Sequence, residues 1–440
     1  MTVLAHGLGG ADDLPIPLSY ALIGAAWALT FSFAILLLAW REPRLDPESP
    51  GRRLPAFLDA APLRRAIDLT TIAGAVLLGL ILVLGSPDPQ RNPAPGVFYI
   101  YLWVGVTTAS LVFGPVWKLL SPLRAAHRLV CLLLRRDPRT GPLAYPESWG
   151  YRPAVLGLFA FAWLELAAPE PDSLTAIGIW LLAYVLSTGA GLALFGSVWA
   201  ERADPFEVYS TLLARVSWFG RDGSGHPVLR APLNNLAAGP VLPGAVALAA
   251  TLLGATAFDS LSALPAWREF LDSRSGGEVL TATVTRTLGL LTVIAIVGVL
   301  FVRAARAVPG LERAERARLP RLLVHSLTPI IAGYLIAHYL TLLVEKGQAT
   351  LALLADPFDR GWNIAGLADH QVAYVLSTHP AVLATLKVLA VLTGHILGVT
   401  AAHDRCLTLL PRAHRATGQL ALMLVMVGFT FTGLYLLFGG

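Results

Sequence analysis

The stretch LLVHSLTPIIAGYLIAHYLTLLV, residues 322–344, decides the class of this protein. It runs its whole length without Asp, Glu, Lys or Arg. At about 1.5 Å per residue a helix of that length covers a hydrocarbon core of ~30 Å. It also carries His325 and His338, and an ionisable side chain placed in hydrocarbon costs roughly 2.5–3.5 kcal/mol on insertion scales. The companion run PAVLATLKVLAVLTGHILGVTAA, 380–402, holds Lys387 and His395 and ends on His403 and Asp404. Seven of the ten histidines lie between His325 and His414, so any chemistry is expected in the last third of the chain.

Outward from these two runs the same reading finds eight more. The ten expected spans are 18–40, 66–85, 97–117, 153–168, 174–200, 237–258, 281–303, 322–344, 380–402 and 417–438. The fold class is therefore all-α, a polytopic transmembrane helix bundle forming one integral membrane domain over 1–440. Composition agrees: 55% of residues are hydrophobic and 14% charged, which excludes an ordinary water-soluble domain. No internal repeat and no inverted pair of broken helices is evident.

Of the 33 Lys and Arg residues, 26 fall in the alternate connections 41–65, 118–152, 201–236, 303–321 and 405–415. Inner loops are enriched in positive charge, so these five are expected on the cytoplasmic side, with both termini on the outer side of a plasma membrane. The formal net charge of +5 then describes a surface facing anionic lipid headgroups and gives no reason to expect nucleic acid. Cys131 and Cys406 fall on the same inner side and are expected as reduced thiols.

Two inner segments read as amphipathic. LLSPLRAAHRLVCLLLR, 119–135, sets Arg124, His127, Arg128 and Arg135 against Leu123, Val130, Leu133 and Leu134, as in a helix lying among headgroups with its arginines reaching out. DPFEVYSTLLARVSWF, 204–219, has Asp204 as N-cap and Pro205 at the first helical position, and is expected as a surface helix. The outer connection 345–379 is long and partly apolar. Trp362 and Tyr374 suit an interfacial aromatic belt, and the segment has the length to fold over the bundle as a lid.

Depth along the spans sorts the polar residues. His325 and His403 lie ~5 and ~2 Å from the inner boundary, His395 ~14 Å in, and His338 and Lys387 ~24 and ~26 Å in. An inner grouping of His325, His395, His403 and Asp404 and an outer one of His338 and Lys387 are expected, the latter with Glu165, Arg286, His370 and His379 as candidate neighbours. His395 and His403 are ~12 Å apart along one helix, too far for one metal ion bound through bonds of ~2.1 Å, so a metal at either needs ligands from another helix. The candidate metal ligands among these are His325, His338, His370, His379, His395 and His403, and the candidate ion zinc or copper.

Four segments, AHGLGGADDLPIP (5–17), FGSVWAERADPFEVYSTLLAR (195–215), HSLTPIIAGYLIAHYLTLLVEKGQ (325–348) and GHILGVTAAHDRCLTLLP (394–411), resemble a family of polytopic bacterial membrane proteins, common in actinobacteria, labelled fenitrothion hydrolase. The resemblance covers most of the chain. It implies a membrane-bound hydrolase of organophosphorus esters, with His6, His338, Gln348, His395, His403 and Asp404 as characteristic positions. The family often has a full leader ahead of the histidine matched by His6; here only MTVLA precedes it, read as a short translocated tail or the remnant of a leader cut before His6. Phosphotriester hydrolysis needs an activated water and a cation on the phosphoryl oxygen, which imidazole- and carboxylate-bound metal supplies, so the resemblance implies His338, His395, His403 and Asp404 as candidate catalytic residues and adds His6 to the candidate metal ligands. A small apolar substrate would reach such a site through the bilayer. Two other classes stay open: a copper-handling or transport protein, in which His6 binds through its own amine, and a structural subunit beside a second membrane subunit.

Overall fold

The structure, a computed structural model, describes residues 10–439, apart from the side chain of Ala11. His6 lies outside the described residues. Twelve helices matter here: α1 (Leu18–Ala39), α2 (Ala61–Leu84), α3 (Ala94–Phe113), α4 (Pro122–Leu133), α5 (Arg152–Leu166), α6 (Leu174–Phe195), α7 (Pro205–Ala214), α8 (Ala245–Ser262), α9 (Val279–Arg306), α10 (Arg313–Leu354), α11 (Pro380–Leu409) and α12 (Thr417–Phe438). Among the described residues, nine of these are long and apolar enough to cross a membrane; α4, α5 and α7 are not. The remaining expected span, 153–168, is α5, whose 15 residues reach only about 22 Å.

The stretch that decides the class is also the centre of the molecule. The most apolar part of α10 is 78% buried, whereas the corresponding part of α2 is 11% buried and faces outward along nearly its whole length. α11 crosses α10 at very short range because the meeting residues are glycines. A Cβ on Gly333 would sit 2.4 Å from the Ala390 carbonyl oxygen, and one on Gly394 2.5 Å from that of Pro329. Small residues are what let two membrane helices approach so closely.

Contacts between connections fix which of them share a side. A small antiparallel sheet of β1 (Arg52–Arg53), β2 (Phe219–Arg221) and β3 (Pro227–Leu229), in the order β1-β3-β2, pairs Arg52 with Leu229. This joins the first basic connection to the third. Asp404, at the last basic connection, binds Trp40 and the Arg44 amide of the first. On the opposite side Arg91 pairs with Asp359, and the Tyr99 hydroxyl donates to the Pro171 carbonyl (2.8 Å). The turn after α5 thus lies beside the start of α3, while its N-terminal end is tied to the basic side by the Tyr151 amide donating to Pro243 (2.7 Å). α5 is thus held by hydrogen bonds near both of its ends.

Both amphipathic readings need correction. The face of α4 that carries arginines turns inward, where Arg124 pairs with Glu207 and Arg128 with Asp68, while Leu132, Leu133 and Leu134 are exposed. A buried carboxylate without a counter-charge is far more costly than an exposed leucine facing lipid, and that decides the orientation. Helix α7 is no surface helix either: Phe206, Glu207, Tyr209 and Leu213 are fully or almost fully buried. Its N-cap is as expected, with Asp204 Oδ1 accepting from the amides of Phe206 (2.9 Å) and Glu207 (3.3 Å). Burial pushes the Asp204 carboxyl up to about 7, with the charge of Glu207 adding to the shift.

Candidate functional site

The sequence places His338 deep in α10, and the structure supplies partners that the sequence reading did not name. His338 Nε2 lies 2.8 Å from Asp259 Oδ2, and the Tyr339 hydroxyl donates to the same oxygen at 2.8 Å. On its other side His338 Nδ1 lies 2.9 Å from Ser260 Oγ, which in turn is 2.9 Å from the Tyr334 hydroxyl. One consistent assignment of protons has Tyr334 donating to Ser260, Ser260 to His338 Nδ1, and His338 Nε2–H to Asp259. All donors then run toward one carboxylate, a polarised chain of the kind that strengthens itself in a low-dielectric interior. Glu165 on α5 is buried beside this chain, near enough for its charge to act on Asp259, and its Oε1 has no hydrogen-bond partner.

The residue types of a serine hydrolase triad are present in Ser260, His338 and Asp259, but the setting is not that of one. Ser260 is fully buried inside α8, where backbone N–H groups are committed to the helix and unable to hold a developing oxyanion. The arrangement relays or holds a proton better than it presents a nucleophile. Nor is a metal site preformed. Asp259 and His338 offer two donors, and among the described residues no three His, Cys, Asp or Glu side chains come together as a metal ion requires.

Of the expected inner grouping, His325, His403 and Asp404 stay together at the basic side, where His325 and Asp404 border one pocket and His403 and Asp404 both bind Trp40, while His395 lies elsewhere. His403 Nδ1 faces Gln419 Oε1 and its Nε2 faces the Trp40 carbonyl, both at 2.9 Å, so neither ring nitrogen is left to hold a metal. Asp404 Oδ1 accepts from Trp40 Nε1 (2.8 Å) and the Arg44 amide (2.6 Å), which ties the end of α1 to α11. His325 borders pockets at the basic side with Arg405. Of the outer candidates, His370 Nε2 lies 3.1 Å from Gln348 Oε1 and His379 Nδ1 lies 3.0 Å from the Val375 carbonyl; both are exposed. The outer segment is fastened down as well as exposed: Glu345 accepts from the amides of Leu376 (3.1 Å) and Ser377 (2.8 Å), and Gln348 from that of Ala373 (3.0 Å). These bonds give Gln348 a clamping role.

His395 stands apart from all of these. Its Nδ1–H donates to the Val391 carbonyl one turn back on α11 (2.8 Å), which leaves Nε2 unprotonated in the neutral ring. That nitrogen is buried and has no partner. His395 lines a cavity of about 500 Å³ walled by α8, α9 and α12, in which the other polar side chains are Tyr334 and Thr432. Ile296 and Leu300 of α9 and Leu424 of α12 border it and are exposed on the outside of the bundle, so its rim lies on an apolar part of the outer surface. Tyr334 belongs to the cavity wall and to the Asp259 chain, and so connects the two.

The chain matches no protein-family model, no curated protein and no solved structure.

Proposed function

We propose that this multi-pass membrane protein draws a small, mostly apolar molecule from the lipid into the cavity between α8, α9 and α12, and that His395 accepts a hydrogen bond or a proton from its polar end. The observation that carries the reading is the buried, unpartnered Nε2 of a histidine on the wall of a mainly apolar space. A cavity of about 500 Å³ is within the usual range for small-molecule sites, roughly 300–1,000 Å³, and such sites are mainly apolar with a few placed polar groups. A hydrolase of lipophilic esters, the activity that the resemblance implies, would use the same two features. The cavity would hold the ester and the unprotonated nitrogen would take a proton from the attacking water.

The test uses 1-naphthol, which has an O–H, and 1-methylnaphthalene, which has nearly the same shape and none. In detergent-purified protein the ratio of their affinities is expected to shift about 10-fold against naphthol on His395→Leu, the size of one hydrogen bond to a buried acceptor. Gly428→Phe should weaken both ligands, since a Cβ at Gly428 meets nothing within 4 Å and the added ring occupies the cavity. An affinity ratio that His395→Leu leaves unchanged overturns the reading.

The same proposal places the chain in the plasma membrane with ten crossings, α5 among them, and both ends outside. Reporters active on one side only, fused at Gly440 and inserted in the 303–321 connection, should signal from opposite sides. A cytoplasmic signal from Gly440 would rule this topology out.

A further inference from the structure

We infer that a second site, at the basic side of the bundle, holds the phosphate group of an anionic phospholipid. Arg215, just beyond α7, Arg321 on α10 and Arg405 on α11 line one pocket together with Thr211 and His325. Two partly buried arginines elsewhere on this side are neutralised, Arg124 by Glu207 and Arg128 by Asp68. Here, among the described residues, none of the three guanidinium groups has a carboxylate within ion-pair distance. The acids nearby are engaged: Glu201, on the pocket wall, pairs with Arg124 at 3.4 Å, and Asp404 is taken up by Trp40 and Arg44.

Two buried polar atoms at this pocket also lack partners, the Nε–H of Arg405 and the hydroxyl of Thr211. Together with three like charges they ask for an acceptor-rich anion, and phosphate matches guanidinium groups in both charge and geometry. The space is about 50 Å³ on a measure where one water needs roughly 10–15 Å³, so it admits a single tetrahedral anion. Past the guanidinium groups the walls are apolar, with Val208, Leu212, Val241 and Leu248. The pocket lies where α8 begins, at the level of the headgroups on the side richest in Arg. An amphiphile with a phosphate head suits those walls, and basic pockets between membrane helices bind headgroups in this way.

Thermal unfolding of the full chain in detergent tests the assignment. Added phosphatidylglycerol is expected to raise the melting temperature by several degrees more than phosphatidylcholine at equal concentration. Native mass spectrometry should show at least about a 10-fold drop in retained phosphatidylglycerol for Arg215→Gln/Arg321→Gln, one lost phosphate contact being enough for that factor. If the double variant does not fold, Arg321→Gln alone, at an exposed side chain, carries the comparison. Equal stabilisation by the two lipids, or lipid retention unaffected by the substitutions, overturns the site. Stabilisation by inorganic phosphate that equals that by phosphatidylglycerol overturns the lipid assignment.

Discussion

Asp259→Ala is expected to lower stability by about 2–5 kcal/mol, because it removes the carboxylate that two buried donors share, each lost acceptor costing roughly 1–3. His338 Nε2 and the Tyr339 hydroxyl would both lose their acceptor in a place that water does not reach. Asp259→Asn keeps an oxygen there and should lose less. The neighbouring carboxylate is expected to behave in the opposite way. Glu165 is buried with an unpartnered oxygen and acts on Asp259 with a like charge, so Glu165→Gln should leave the melting temperature unchanged or raise it. Thermal unfolding of the three variants in one detergent checks this. If Asp259→Ala melts with the parent, or Glu165→Gln falls as far as Asp259→Ala, the chain of bonds described above is not what holds these helices together.

The nine long apolar helices are legible in the sequence because they rest on composition over many residues. Asp259 was hidden by four residues. The apolar run reads as ending at 258, while α8 continues to Ser262, so composition alone puts the acid in a loop, where carboxylates are ordinarily solvated. An acidic residue one position beyond an apolar run, on a helix able to continue, was the signal available. The inward turn of the α4 arginines is hidden for a related reason. Charge on one face of a helix shows that the face is polar, and says nothing about whether water or a buried carboxylate meets it. Which helices are neighbours is a long-range property, and neither Arg128 with Asp68 nor Trp40 with Asp404 can be found from spacing. Gln348, singled out by resemblance, and His403, singled out by its place at the end of an apolar run, illustrate the same limit: the structure spends their hydrogen bonds on holding segments together.

Asp404 gives the sharpest separation between holding and reacting. Its Oδ1 accepts from Trp40 Nε1 and the Arg44 amide, and Leu45 N lies 3.4 Å from both of its oxygens, so the turn leaving α1 is organised around one carboxylate. Asp404→Ala leaves those donors without an acceptor in a partly buried turn and is expected to cost about 2–4 kcal/mol, each unsatisfied group counting for roughly 1–3. Asp404→Asn presents a carbonyl oxygen to the same donors and should retain most of the stability. A carboxylate that ligates a metal ion or takes a proton in a reaction tolerates neither change, because the amide has no charge and no basic oxygen. Hydrogen exchange at Arg44 and Leu45 locates the effect: protection lost in the alanine variant and kept in the asparagine variant marks a structural tie. An asparagine variant that keeps its melting temperature yet loses naphthol binding or ester hydrolysis would instead put Asp404 back among the reacting groups.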